Sequence, residues 1–262
     1  MKIIIRLIFY QELKMKRRFV SYILIFTSLM LIILSGCALL DNCSFNSSEI
    51  YASGDVLYCY IDEVGGRSRI RGKNVAICDL TNKGYEKEII ILPDELDGKP
   101  VIQLGHCDFM YQSSIGSYTQ KIYLPPTILG IAGDVGGKLF LIDELSENFY
   151  ICMPTDYNRI HVSQSIYDKY EGKFGRMIPY IANTEYIVDG ETYWLDDYDE
   201  PSLITAPENP VKEGYEFAGW FKEPELENEW NFETDMVTGK TYDDDGEENI
   251  NLTRLYAKWQ KI

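Results

Sequence analysis

Two histidines, His106 and His161, are all that 262 residues supply, and neither stands in a His-Glu-x-x-His zinc pattern. No Gly-x-Ser-x-Gly elbow occurs, and Gly66 to Lys73 misses the phosphate-loop spacing and lacks its Ser or Thr. No Cys-x-x-Cys exists to hold a metal or run redox exchange. Basic residues are also scarce, 25 against 41 acidic ones. Such a balance repels nucleic acid and anionic headgroups, so nucleic acid is not an expected partner. Each histidine reads as a surface or partly packed side chain. Paired carboxylates are plentiful, but glycoside chemistry depends on their separation in space, which a chain this acidic does not disclose. No catalytic, cofactor or metal residue is therefore assigned, and the chain is expected not to be an enzyme.

What is present begins with export. A basic cluster (Lys14, Lys16, Arg17, Arg18) leads into an apolar run from Phe19 to Leu34, followed by Ser35, Gly36 and Cys37. That order is a secretory signal over residues 1–36; the alternative is an uncut membrane anchor, the run being slightly shorter than the ~20 residues a span needs. Leu34-Ser35-Gly36-Cys37 resembles the bacterial lipobox, which implies lipid on Cys37 and cleavage before it. Two or three acyl chains anchor stably where one holds marginally. The membrane, reached through that lipid, is then the first partner, and the location is extracytoplasmic. Met15 makes a more typical start than Met1. From Cys37 onward 19 basic and 40 acidic residues leave a net charge of 21 negative.

Beyond Cys37, five cysteines remain at irregular spacing: Cys43, Cys59, Cys78, Cys107 and Cys152. Isolated buried thiols are the expectation, with one disulfide left open in an oxidising compartment. Residues 37–54 are largely polar and read as a tether. Thereafter Val56, Tyr58 and Tyr60 alternate with Leu57, Cys59 and Ile61 as a strand.

A repeating pattern starts at Ile89. Ile90 and Leu92 share a strand face, Pro93 stops the strand, Leu96 follows, and Asp97-Gly98-Lys99-Pro100 turns before Val101 and Leu104. Ile122 and Leu124 precede Pro125, with Ile128 and Ile131 beyond it. Ile151-Cys152-Met153-Pro154, followed by Ile160, gives a third partial copy. Strand, proline stop and inward apolar residues form a coil that stacks on the next. Residues 91 to 105 resemble the opening unit of BspA-type leucine-rich repeats, and Ile122 to Ile131 is similar to that family's core. Unlike the family, the units lie about 32 and 29 residues apart, at or beyond the usual ~20–29. Ser165 is expected to cap a short helix carrying Ile166 and Tyr170, closing the stack. The repeat region with this cap spans residues 55–178.

Pro179 opens a second unit, 179–262. Tyr186 and Val188, then Asp189-Gly190, then Thr192 and Trp194 read as a hairpin, and Asp196 to Glu200 as an acidic loop. Gly214-Tyr215-Glu216-Phe217-Ala218-Gly219-Trp220-Phe221, Trp230-Asn231-Phe232 and Leu255-Tyr256-Ala257-Lys258-Trp259 resemble the Listeria-Bacteroides repeat, the B-repeat of internalin-like proteins. That resemblance implies a small β-grasp-like sheet with these aromatics as core. The acidic insert Asp243 to Glu248 fails the EF-hand register and reads as a solvated turn, weak calcium binding remaining open.

The fold class is mainly β or α+β: a short, degenerate leucine-rich-repeat-like solenoid followed by a small β-grasp-like domain. By family analogy the function is adhesion or cell-envelope interaction through a host or envelope protein or a polysaccharide. The alternative is a glycan-binding or glycan-processing lipoprotein.

Overall fold

The computed structural model describes residues 49–66, 70–105, 115–133, 135–144, 146, 149–152, 160–170, 180–242 and 248–262. Its elements in chain order are strands β1 (Tyr51–Ser53), β2 (Val56–Ile61) and β3 (Asn74–Leu80), and helix α1 (Asn82–Tyr85). Strands β4 (Ile89–Ile91), β5 (Glu95–Leu96), β6 (Lys99–Gly105), β7 (Lys121–Tyr123), β8 (Gly130–Ala132), β9 (Lys138–Phe140), β10 (Tyr150–Cys152) and β11 (Ile160–Val162) follow. After helix α2 (Gln164–Tyr170) come β12 (Tyr180–Ile181), β13 (Thr184–Val188), β14 (Glu191–Asp196), β15 (Ser202–Leu203), β16 (Tyr215–Phe221), β17 (Met236–Val237), β18 (Lys240–Tyr242), β19 (Glu248–Ile250) and β20 (Thr253–Lys261). Among the described residues no helix is long and apolar enough to cross a membrane.

The first part is a stack of coils with a strand on each side. One sheet runs β1-β2-β3-β6-β8-β10, with β5 beside β6, and the facing sheet runs β12-β11-β9-β7-β4. The run β3-β6-β8-β10 of the first sheet is parallel, and the second sheet is parallel throughout. In the second sheet the register lines up Ile90, Ile122, Leu139 and Ile160 as one ladder. In the first it lines up Ile77, Leu104 and Ile131. Both ladders are buried and meet in one apolar core. Each coil alone leaves these side chains wet at its edges, so stacking is what stabilises them.

Proline stops and turns act as the sequence reads. Ile90 and Leu92 are buried, whereas Ile89 and Ile91 are exposed. Asp97-Gly98 and Asp189-Gly190 both have positive φ at their two positions, 52° and 71°, then 53° and 92°. These are the two-residue turns that match strand twist, and each joins a hairpin, β5–β6 and β13–β14.

Two expectations are corrected. The third coil was placed at Ile151-Cys152, but that strand pairs with β8 in the first sheet. The position equivalent to Ile90 and Ile122 is Leu139, on a strand that no proline follows. Met153 and Pro154 lie outside the described residues. The helix cap is also shifted: Ser163 Oγ accepts from the Ile166 N–H at 3.3 Å, while Ser165 sits inside the first turn. Ile166 reaches the core of the coil stack, and Tyr167 packs against it.

The second part is a mixed four-stranded sheet, β14-β13-β20-β16, in which β13 and β20 are parallel neighbours at the centre. Tyr186, Ile204, Trp220, Trp230, Val237, Leu255 and Ala257 form its core, with Phe217, Phe232 and Trp259 packed against it. A bulge between Phe217 and Trp220 breaks the alternation of β16. Tyr215, expected in the core, is exposed instead: it opens the strand opposite Lys261, beyond the buried cluster, with Lys212 Nζ lying 5.0 Å from its ring centre.

Candidate functional site

The outer face of the second coil sheet carries Lys121 and Tyr123 on β7, Lys138 and Phe140 on β9, and His161 on β11. Alternation along each strand points them away from the ladder Ile122-Leu139-Ile160. Register sets Lys121 beside Lys138, Tyr123 beside Phe140, and Phe140 beside His161. Two neighbouring ammonium groups on a buried face need anions. The end of β14 and the residues after it supply them.

Asp196 Oδ2 lies 2.7 Å from Lys121 Nζ and also accepts from the Tyr198 hydroxyl at 2.8 Å. Asp197 is wholly buried. Its Oδ2 lies 2.9 Å from Lys138 Nζ, 3.2 Å from Lys240 Nζ and 3.3 Å from His161 Nε2. The other ring nitrogen of His161 lies 3.1 Å from the Leu139 carbonyl oxygen, so both nitrogens face oxygen acceptors. Asp199 joins at the rim, 3.1 Å from Lys138 and 3.2 Å from Lys240. Burial alone raises the Asp197 carboxyl, but donation from His161 and the charge of Lys138 outweigh it and hold the group well below the usual carboxylate range. The neighbouring Tyr123 hydroxyl is pushed up by burial and by Asp196; it donates to the Leu195 carbonyl at 2.7 Å.

Apolar contact accompanies the charges. Tyr123, Phe140, Ala182 and Leu195 form a buried cluster, with Trp194 against it. The Tyr123 and Trp194 rings stack at 3.9 Å between centres, and Tyr123 and Phe140 at 4.9 Å. Each such pair is worth about 0.5–1.5 kcal/mol beyond its area. Aromatic stacking and buried charge together weld the coil stack to the C-terminal sheet.

His161, read from sequence as a surface or partly packed side chain, is thus buried at 3 % exposure. The acidic loop expected at Asp196 to Glu200 is buried at its first two residues for the same reason: three lysines and a histidine surround it. The one signal in the sequence was the lysine at the head of two consecutive coils.

Beside this junction lies an open depression of about 260 Å³ between α2 and the non-core face of the C-terminal sheet, lined among others by Ser165, Glu185, Glu191, Thr192, Arg254 and Tyr256. Glu185 is buried and both its oxygens are engaged: Thr192 Oγ1 donates at 2.6 Å and Arg254 Nε at 3.1 Å. Carboxylate, guanidinium, hydroxyls and a phenol ring in one small hollow offer both acceptors and donors. That chemistry suits hydroxyl groups better than apolar ligands.

Cys37, the expected lipid attachment point, lies outside the described residues with Cys43, Cys107, His106 and residues 243–247 of the acidic insert, as does the side chain of Cys152. Among the described residues no cluster of three or more His, Cys, Asp or Glu side chains is placed to hold a metal ion.

Residues 183–258 match the model of the Listeria-Bacteroides repeat domain. A protein of Evansella cellulosilytica named as a Gly-rich membrane protein is 41% identical over 64 residues, which cover 24% of this chain and 6% of that protein. A second protein of the same organism, named as a membrane protein, is 39% identical over 64 residues, 24% of this chain and 8% of its own. The chain thus spans less than a tenth of the length of these curated relatives. Over residues 183–258 the C-terminal sheet is similar to the Listeria-Bacteroides repeat.

Proposed function

We propose that this chain is a lipid-anchored, extracytoplasmic surface protein of a bacterial cell, acting without catalysis as a binding, adhesion or cell-envelope interaction module. The observation that carries this reading is the match of residues 183–258 to the repeat, beside the likeness to relatives named as membrane proteins. The basic cluster, apolar run and Leu-Ser-Gly-Cys ending at Cys37 supply the anchor. The stacked parallel coils support a short BspA-type leucine-rich-repeat region as the second binding element. Its partners are the membrane, through the lipid, and a host or envelope protein or polysaccharide; the acidic surface disfavours nucleic acid.

Growth of a bacterial host expressing the full chain with an alkyne fatty acid tests the anchor. Wild type takes up label and fractionates with the membrane, whereas Cys37→Ala accumulates as an unlabelled precursor. Undiminished label in that variant rejects the assignment. Binding of the labelled protein to panels of matrix proteins and polysaccharides then tests the module.

The depression beside Glu185 and Arg254 favours a second reading, a glycan-binding or glycan-processing lipoprotein. Saturable polysaccharide binding that Tyr256→Ala and Thr192→Val abolish, with folding intact, distinguishes it from protein adhesion. Release of reducing sugar that disappears with Glu191→Gln makes it an enzyme.

A further inference from the structure

The N-terminal hairpin of the first sheet holds two cysteines, Cys59 on β2 and Cys78 on β3, both as thiols. Register sets Cys59 opposite Ala76, Tyr58 opposite Ile77 and Leu57 opposite Asp79. The register shift between Leu57 and Tyr58 leaves Cys78 as the extra residue of a bulge in β3. Its side chain meets the cluster formed by Cys59, Ile61, Ala76 and Ile102, separate from the main core of the coil stack. There Cys78 packs in the same cluster as Cys59, with its Sγ 3.6 Å from the Ala76 carbonyl oxygen.

We propose that Cys59 and Cys78 are the oxidation site of this chain and close into an intrachain disulfide once it leaves the cytoplasm. A disulfide requires Cα atoms within about 7 Å and side chains that converge. Two paired strands whose cysteine side chains pack in one apolar cluster need little backbone movement to meet that requirement. The compartment follows from the extracytoplasmic reading above, on which the inference rests, because disulfides persist outside the cell and not within it.

Exposure dictates the order of events. Cys59 is fully buried and Cys78 is partly exposed. Cys78 therefore loses its proton and attacks an external disulfide, forming a mixed disulfide and releasing one thiol of the oxidant. Cys59 then loses its proton and attacks the Cys78 sulfur, expelling the second thiol. Two electrons and two protons pass to the oxidant, a small-molecule or protein disulfide. The neighbouring Cys59 and burial both hold the Cys78 thiol up, which slows the first step.

The test has two arms. The purified, reduced full chain is incubated with oxidised glutathione, alkylated and mapped by mass spectrometry. The expected product is a Cys59–Cys78 cross-linked peptide two mass units below the dithiol form. It should be absent from Cys78→Ser and retained in Cys43→Ser, Cys107→Ser and Cys152→Ser. Thiols that remain alkylatable, or that join other cysteines, overturn the proposal whatever the location. In the second arm the protein is recovered from the envelope of expressing cells and alkylated before any reduction. Cross-linked peptide supports the proposal. Protein found outside with both thiols alkylated overturns it while leaving export standing. Protein found only in the cytoplasm overturns export, and the first arm alone then decides whether the pair closes.

Discussion

Asp197 concentrates the chemistry of the junction in one carboxylate. Burying a charge is costly unless neighbours compensate it, and removing one member of a buried ionic group typically costs about 3–5 kcal/mol. Asp197→Ala is therefore expected to lower Tm by roughly 6–20 °C for a chain of this size, measured by calorimetry; a change under two degrees contradicts the account. The pH dependence has a definite sign. A carboxyl held below its unfolded value of about 3.9 stabilises the fold fully above that pH, and the contribution is lost as pH falls through the folded value. The gap in Tm between wild type and Asp197→Asn should be widest above pH 4 and narrow below it. A gap that stays constant from pH 7 to pH 2 refutes this. Beyond the lysine at the head of two consecutive coils, none of this was legible in the sequence. Among the 41 acidic residues nothing marks Asp196 and Asp197 as buried, because the lysines that hold them are distant along the chain.

Local chemistry at the level of elements was more readable. Asp97-Gly98 and Asp189-Gly190 announce their hairpins because positive φ at both positions is what that dipeptide tolerates. Pro93 marks a strand end in the same way. The coil at Leu139 was missed since its strand is followed by Leu141 and Ile142 rather than proline, and its spacing from Ile122 is far shorter than the first interval. The bulge in β16 was invisible for a similar reason: it lies in the backbone, and Gly219 with φ 113° is its only trace. Helix α2 offers a direct check. Ser163→Ala removes a cap and should cost about 1 kcal/mol, whereas Ser165→Ala should change stability by less than half that; denaturant titration separates them, and the reverse ranking returns the cap to Ser165. Gly105→Ala is a harsher test. With φ 84° and an added Cβ 1.7 Å from the Ala132 carbonyl oxygen, it forces the neighbouring strands β6 and β8 apart. Expression of insoluble or markedly destabilised protein is the expected result.

For the molecule as a whole, the aromatic blocks of the C-terminal repeat and the strand pattern of the coils pointed to two sheet-rich parts. The seam between them is where reading one part at a time fails. Tyr123, Lys121 and Lys138 belong to the coils by sequence, yet their partners lie on β14 and in the residues that follow it. Because the seam combines stacked rings with buried ion pairs, both parts should unfold together. A single transition, coincident by tryptophan fluorescence and far-UV circular dichroism, is expected for wild type. Trp194→Ala should lower that midpoint or split it, and two well-separated transitions in the wild-type protein rule the welded seam out.

Lys138, Lys240 and His161 around Asp197 also limit what this copy of the repeat can become. Lys138 and His161 come from the coil sheet, while Lys240 comes from the repeat itself. Transplanted into a string of similar repeats, residues 183–258 would carry a buried carboxylate stripped of two of its three counter-groups. The repeat is not an interchangeable bead. Its sequence has been fitted to one neighbour, and the two can be exchanged only as a pair.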